Sequence, residues 1–218
     1  MEEIGFDWHK SLPDYLLDSE KDRLSRALNQ FQQKRDSGKR EEIDYSNFYL
    51  SDFQILHLLQ GDLIHSIPRP YWNSEDKAFE NSFSPGLLVS NSCDVSGGNI
   101  RQIKKDAVFA PLIPLFEYEN DMRNGGLTQN KIDSILSQIK RQTYSNIFYL
   151  PPIDKGGKGF LAFLDQLFSI PAEELEQQQA NTKSNRLISL DNFGSYLFIV
   201  KLSFHFCRIP EEVERRPA

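Results

Sequence analysis

The apolar residues of this chain occur in short runs bounded by proline or glycine, and this pattern limits what the chain can fold into. Short apolar runs between turn residues predict β-strands. We therefore predict strands at 61–67, 85–90, 107–115, 146–150 and 160–165. Strict alternation of strand and helix is absent, which favours a small, curled β-barrel over a doubly wound sheet.

Prolines limit the extent or the position of two of these predicted strands. Pro68 and Pro70 follow the first strand, and we expect the strand to end there because proline donates no ladder hydrogen bond. Residues 73–84 are polar and are predicted to form a loop. Pro111 and Pro114 predict that the third strand is bent or lies at a sheet edge.

Three segments before the C-terminal region are predicted to be helices. The first covers 12–40, and its amphipathic stripe consists of Leu24, Ala27, Leu28 and Phe31. It packs on the domain in one interpretation and on a partner in another. A capping-box pattern predicts a second helix from Ser51 to Gln60. The third begins after Thr128 and runs to about Arg141.

The segment from Ser189 to Arg208 fits two patterns. Its alternating apolar residues predict a strand, whereas apolar steps of three and four residues predict a helix. Its length exceeds that of a usual strand, and Asp191 near its start is a favoured helix N-cap. We therefore predict a long closing helix, followed by a charged tail.

The composition excludes several classes of protein. The 218 residues include 25 Lys and Arg against 31 Asp and Glu, a net charge of −6. An acidic balance is not typical of a protein that coats nucleic acid. No apolar stretch is long enough to span a bilayer, and the acidic N-terminal residues lack the apolar core of a secretory signal. We expect a reduced, cytoplasmic protein with no membrane contact.

We expect neither a metal nor a cofactor. No ligand spacing relates the four histidines, His9, His57, His65 and His205. The two cysteines form no disulfide framework. A cysteine nucleophile needs a neighbour that lowers its pKa, and the sequence around Cys93 supplies none. Cys93 is therefore predicted to be a small buried thiol, and Cys207 a core residue.

Three short segments carry a family resemblance. They are Gly61–Ile64, Ser84–Asn91 and Ala110–Ile113, with a proline-containing loop between the first two. Together with 164–170 and the closing helix, they resemble the MazF/PemK-like family over about residues 61–208. Members of this family are SH3-like barrels and often endoribonuclease toxins of toxin–antitoxin pairs. The resemblance implies an α+β fold, a small curled SH3-like β-barrel with a long closing C-terminal helix.

The predicted organisation has three parts. Residues 1–60 form a helical N-terminal arm, 61–208 the barrel domain and 209–218 the charged tail. The polar excess of the chain lies in the arm, in the loop at 73–84 and in a connector at 172–186. The remaining chain is long enough to bury one core.

Two positions depart from the family pattern. Where the family carries an arginine before a proline, this chain has Ser84. The ribonuclease needs that cation to stabilise charge at the scissile phosphate. Where the family carries a threonine on its third strand, this chain offers Pro114 or its neighbours. We therefore expect the fold without the family's chemistry.

Ser92 and Asp94 lie in a polar block that directly follows a predicted strand. Strand ends commonly carry functional groups. In one interpretation Asp94 is a base or acceptor, Ser92 a donor and Arg69 a clamp for phosphate or carboxylate, and these are the candidate catalytic residues. In the other, the polar side chains of the block cap neighbouring backbone amides.

Three groups of residues are candidates for nucleic-acid binding. The first consists of Arg101, Lys104 and Lys105. The second, on the middle helix, consists of Lys131, Lys140 and Arg141. The third consists of Arg69, Tyr71 and Trp72. An aromatic ring of the third group can stack on a base, but a solvated charged surface explains each group equally well.

These observations favour a protein that acts through macromolecular contacts, with a protein partner or as a homodimer. The resemblance implies a toxin–antitoxin or phage-defence setting. Two alternatives stay open. One is an endoribonuclease that cleaves single-stranded RNA with Arg69 and Asp94 or Ser92, and the other is a small-ligand binding module.

Overall fold

The computed structural model describes residues 10, 12–32, 42–50, 57–95, 106–175 and 186–207. Its helices are α1 (Asp18–Gln32), α2 (Ser92–Val95), α3 (Leu115–Asn124), α4 (Gln129–Lys140) and α5 (Asn192–Phe206). Its strands are β1 (Leu63–Asn73), β2 (Ala78–Leu88), β3 (Asp106–Pro114), β4 (Ile147–Leu150), β5 (Phe160–Phe163), β6 (Phe168–Pro171) and β7 (Arg186–Ile188). The chain is an α+β protein, as predicted.

The seven strands form one antiparallel sheet. Its order is β4-β5-β3-β2-β1-β7, and β6 pairs with β3 outside this path. Within the described part of the chain the terminal strands β4 and β7 do not pair with each other, so the sheet is open and the predicted barrel is wrong. At one end of the sheet, β7 pairs with β1 at Leu63 and Ile64. At the other end, a side chain occupies the outer edge of β4.

That side chain belongs to Gln142. Its Nε2 donates to the carbonyl oxygen of Tyr149 at 2.8 Å, and the Tyr149 N–H donates to its Oε1 at 3.1 Å. Gln142 ends helix α4 in the left-handed region, at φ 56°, and its own N–H donates to the carbonyl of Ile139. The buried Lys201 of α5 donates to the Gln142 carbonyl. A cation at this position complements the negative end of the α4 dipole.

Strand β3 lies in the centre of the sheet. Of the two alternatives predicted for it, a bent strand or an edge strand, the edge position is wrong. One side pairs with β2, and the other pairs first with β6 and then with β5. The change of neighbour falls between Phe109, opposite Phe168, and Leu112, opposite Ala162. Pro111 lies at this change, where a missing backbone donor disrupts the ladder least.

Strands β1 and β2 form a long hairpin, which corrects two predictions. The first strand does not end at Pro68 but continues through Pro70 to Asn73, and the predicted loop at 73–84 is mostly the first half of β2. Beyond Ile64, β1 pairs with β2 alone among the described residues. Proline is tolerated in such an edge strand because every second N–H points away from the partner.

The two helices with strong sequence signals are confirmed. Helix α4 follows Thr128 and ends before Arg141. Helix α5 follows Asp191, whose carboxylate accepts the N–H of Gly194 at 2.7 Å. This side-chain cap satisfies one of the unpaired donors at a helix N-terminus.

Other helix predictions differ from the structure. In the predicted range 12–40, helix α1 covers Asp18–Gln32, residues 12–17 are not helical, and 33–40 lie outside the described residues. Of the predicted helix from Ser51 to Gln60, residues 57–60 are not helical, and 51–56 lie outside the described residues. Helix α3 and strand β7 were not predicted, because Leu115 extends an apolar strand pattern and β7 is only three residues long.

Helices α1 and α5 pack together over one side of the sheet. One core cluster contains fully buried residues of both helices and of the sheet, among them Leu24, Leu28, Leu63, Leu87, Phe148, Leu197 and Phe198. The Arg23 guanidinium of α1 lies 3.7 Å from the centre of the Phe193 ring of α5. The N-terminal helix therefore packs on the domain. None of the described helices is long and apolar enough to cross a membrane.

Candidate functional site

The polar block after β2 forms local caps. The Ser92 hydroxyl accepts the backbone N–H of Gln60 at 2.8 Å, and the Ser90 hydroxyl accepts that of Val108 at 2.8 Å. Asp94, in the short helix α2, donates its backbone N–H to the carbonyl of Asn91 at 2.9 Å. These contacts match the capping interpretation of the block.

Arg69 lies in a different part of the hairpin. It is opposite Ser82, which lies six positions before Leu88, the last residue of β2. Six residues of strand span roughly 20 Å. The Arg69 guanidinium donates to Oε1 of Gln166 at 3.3 Å and lies 5.9 Å from the ring centre of Phe168. The structure does not bring Arg69 together with Ser92 or Asp94.

Ser84, which stands where the family has arginine, is two residues along β2 from Ser82. It pairs with Ile67 and shares a face of the ribbon with Arg69. Its hydroxyl oxygen is buried and has no hydrogen-bond partner among the described residues. A serine here supplies no positive charge to a phosphate.

Tyr71 and Trp72 point to opposite faces of the ribbon, since successive residues of a strand alternate. The Tyr71 hydroxyl donates to Oε2 of Glu80 at 2.5 Å. Asn73 donates to Glu80 at 2.7 Å and to Asp76 at 2.9 Å. The Tyr71 hydrogen bond lowers the pKa of Glu80, with a further contribution from Asn73, so Glu80 is a carboxylate at neutral pH. This network ties the two strands together next to the turn.

The face of Trp72 is apolar and exposed. We define the hairpin face as Pro68, Pro70, Trp72, Phe79 and Phe83, which share one face of the outer halves of β1 and β2 with a single polar residue, Asn81. Trp72 is 55% exposed, Phe79 77% and Phe83 71%. The Trp72 and Phe79 rings pair edge to face across the strands, with their centres 5.1 Å apart. Cross-strand aromatic pairs of this kind stabilise a ribbon while leaving ring surface in water.

Sequence reasoning missed Phe79 and Phe83. Both fall in the segment that was predicted to be a loop. No clear period-two signal marks this segment, because Asn81 lies between the two rings on the same face of β2.

The other candidate cations are dispersed. Arg101, Lys104 and Lys105 lie outside the described residues. Lys131 is exposed on α4, whereas Lys140 and Arg141 at its end line a cavity of about 490 Å³. Glu42, Asp133, Tyr45 and Tyr149 also line this cavity. Its mixed charges do not form a cationic path for nucleic acid, and it is the feature that a small-ligand function would use.

Arg141 and Tyr45 define the polar character of that cavity. The Arg141 Nε is buried with no hydrogen-bond partner among the described residues, and its Nη2 lies 4.0 Å from the exposed Glu42 carboxylate. The Tyr45 hydroxyl donates to the Lys140 carbonyl at 2.6 Å. Burial raises the pKa of Tyr45, which therefore stays neutral.

A buried ion pair anchors the start of the hairpin. Asp62 is completely buried, and its Oδ2 accepts from the Arg186 Nε at 3.0 Å and from the Leu59 N–H at 2.9 Å. The Ser189 hydroxyl contacts its Oδ1. Burial raises the pKa of Asp62, against the opposing effects of Ser189, Leu59 and Arg186. This cluster joins β1 to β7 and has a structural role.

The cysteine predictions are wrong. Cys93, in the four-residue helix α2, and Cys207, after α5, are both exposed. Cys93 lies on the outer side of a turn whose single buried residue is Val95, and Cys207 lies where α5 leaves the core. Within the described ranges, no cluster of His, Cys, Asp and Glu could hold a metal ion.

No protein-family model matches this chain, and no curated protein matches it either. The hairpin face and the cavity at the end of α4 are therefore the two features from which a function can be argued.

Proposed function

We propose that this chain is a binding protein that acts through macromolecular contacts, and that the hairpin face contacts a protein partner. One observation carries the proposal: three aromatic rings and two prolines share an exposed face of the ribbon. A contiguous exposed apolar patch marks an interaction site in soluble proteins. Trp and Phe are enriched at protein interfaces, where their large rings lose little conformational entropy on binding.

The geometry of the polar residues supports this proposal over the endoribonuclease alternative. Cleavage of a phosphodiester needs a cation and an acid or base at the same phosphate. Arg69 contacts β6, whereas Ser92 and Asp94 lie beyond the far end of β2. The net charge of −6 also opposes the approach of RNA.

The resemblance to the MazF/PemK-like family gives the proposal a setting. A divergent relative that has lost the arginine and the threonine of the family would keep its contacts and lose its chemistry. A toxin–antitoxin or phage-defence role is an expectation that follows from the resemblance alone.

Site-specific photo-crosslinking in cells tests the proposal. A benzophenone-bearing phenylalanine replaces Phe79 or Phe83 in the full chain, and the same residue replaces Phe116 as a control. Phe116 is an exposed ring of α3, 46% accessible, outside the hairpin face. We expect a protein adduct of discrete mass from the two hairpin positions and none from Phe116, and Trp72→Ser should remove the adduct.

Three results would overturn the proposal. An RNA adduct at Phe79 or Phe83 would assign the face to nucleic acid, and adducts of equal yield at all three positions would show non-specific contact. Expression of the chain alone provides the third result. If it arrested growth and degraded RNA, and Arg69→Ala abolished both effects, the endoribonuclease alternative would replace the binding function.

A further inference from the structure

We infer that the segment bound by the hairpin face carries Lys or Arg between apolar side chains. This inference rests on the proposed function and adds the chemistry of the partner. It follows from three properties of the outer hairpin, residues 68–83: its charge, its exposed rings and its blocked edge.

Carboxylates predominate at the tip of the hairpin. Residues 68–83 contain three acidic side chains, Glu75, Asp76 and Glu80, and two basic ones, Arg69 and Lys77. Arg69 lies at the base of the outer hairpin, where it donates to Gln166 of the neighbouring loop. The tip therefore carries three carboxylates against a single cation: Glu75 and Asp76 lie in the turn, and Glu80 lies with Tyr71 on the face opposite the rings.

The exposed rings also suit a cation. A Lys or Arg head group over the face of Trp or Phe is attracted by the negative face of the ring. The chain makes this contact itself, since the Arg23 guanidinium lies 3.7 Å from the Phe193 ring centre. On the hairpin, Trp72 and Phe79 are the ring pair closest to the turn that carries Glu75 and Asp76, so a partner segment with several cations can contact the rings and the acidic turn together.

The same features disfavour two other occupants. Single-stranded nucleic acid needs rings interleaved with cations, and its phosphates would face the three carboxylates of the tip. A second copy of the chain would bring the same carboxylates and another net charge of −6. Charge complementarity thus favours a basic segment of a different protein.

The outer edge of β1 is a poor place for an added strand. Pro68 and Pro70 lie on this edge beyond the last pairing with β7, at Ile64. Prolines on an edge prevent the regular ladder that strand addition requires. The partner is therefore expected to contact side chains of the hairpin face and not the backbone of β1.

Defined peptides test the inference on the full chain. Two probes have the same length, one alternating Lys with Leu and the other Glu with Leu. Binding is measured by calorimetry, and the shift of the Trp72 indole N–H signal locates it. We expect the Lys/Leu peptide to bind at least about tenfold more tightly than the Glu/Leu peptide, about 1.4 kcal/mol, with a difference that shrinks as salt is added.

A matched pair of variants isolates the charge. Glu75→Gln with Asp76→Asn removes two carboxylates of the tip while leaving the Tyr71 and Glu80 contact in place. Glu117→Gln with Asp121→Asn removes the same charge from the exposed side of α3. We expect the tip variant to weaken the Lys/Leu peptide about fivefold or more, and the α3 variant to leave its affinity unchanged.

The outcomes separate this inference from the proposed function. The double variant with Trp72→Ser and Phe79→Ser tests whether binding requires the rings. If it does, but both peptides bind equally well, the cationic partner is overturned and the hairpin face remains the docking site. Lys/Leu binding that persists without the rings would overturn the docking site itself. Absence of Lys/Leu binding, or equal weakening by the tip and α3 variants, would overturn the inference.

Discussion

The inner and outer halves of the β1–β2 hairpin belong to the same two strands, with a shift of register between Ile64 and Ile67, and they differ in their exposure to solvent. In the inner half, Leu63 faces Leu87, both are fully buried, and β7 and β3 lie on either side. In the outer half, Trp72 faces Phe79 and both are exposed. The rings of the outer half contribute little to the core, so folding does not explain them. That difference is the reason for assigning the outer half a binding role.

The largest expected effect lies at the anchor of the inner half. Asp62→Ala would remove the carboxylate that pairs with Arg186, whose side chain is only 12% exposed, and would leave the guanidinium without this partner. Removing one partner of a buried ion pair costs about 3–5 kcal/mol. We expect the free energy of unfolding, measured by urea denaturation, to fall by that amount. A loss under about 1 kcal/mol would show that the anchor is not needed and would weaken the comparison.

The second effect compares one apolar residue from each half. Leu87→Ala creates a cavity in the core and should lower the free energy of unfolding by about 2–5 kcal/mol. Phe83→Ala removes a larger side chain that is 71% exposed, and should change it by less than about 0.5 kcal/mol. Urea denaturation of both variants measures the contrast. Equal decreases in the free energy of unfolding would mean that the outer rings stabilise the fold. This result would contradict the binding proposal.

The smallest effect is the pH dependence of stability. The contributions of Asp62, at the start of the inner half, and of Glu80, in the outer half, change with pH in opposite directions. Burial raises the pKa of Asp62 above 3.8, so its folded state binds the proton more tightly than the unfolded state. Its contribution to stability therefore falls as pH rises from 3.8 through the folded pKa. The hydrogen bond from Tyr71 lowers the pKa of Glu80 below 4.5, so its contribution is lost as pH falls through the folded pKa.

Carboxyl carbon NMR titration checks both directions, with Asp62→Asn and Glu80→Gln to assign the signals. Tyr71→Phe removes the hydrogen bond and should return the pKa of Glu80 towards 4.5, while the pKa of Asp62 stays raised. A Glu80 pKa that does not respond to Tyr71→Phe would contradict the contact that ties the outer strands together.

Local signals made the helices α4 and α5 predictable. Thr128 and Asp191 are N-cap residues, and the apolar stripes that follow them depend only on nearby residues. The outer hairpin was not predictable in the same way. Pro68 and Pro70 end a central strand but not an edge strand, and whether β1 has a second neighbour depends on residues as distant as Arg186.

The separation of the candidate site residues has a related reason. The distance from Arg69 to Ser92 or Asp94 depends on the length and the register of the hairpin. A single sequence reveals neither. Tyr71 and Trp72 were grouped because they are adjacent in the chain, and the strand then separated them onto two faces. Closure of a barrel is likewise a long-range property, and the open sheet could not be foreseen from short apolar runs.

The amide of Gln142 has a consequence for the behaviour of this chain at high concentration. An unpaired edge strand is a template on which strands of other molecules can assemble. Both backbone groups of Tyr149 on the edge of β4 are already bonded to that amide. An incoming strand would have to displace the side chain before it could pair at this position. A single glutamine at a helix end thereby helps to protect the chain against intermolecular β-sheet growth and aggregation.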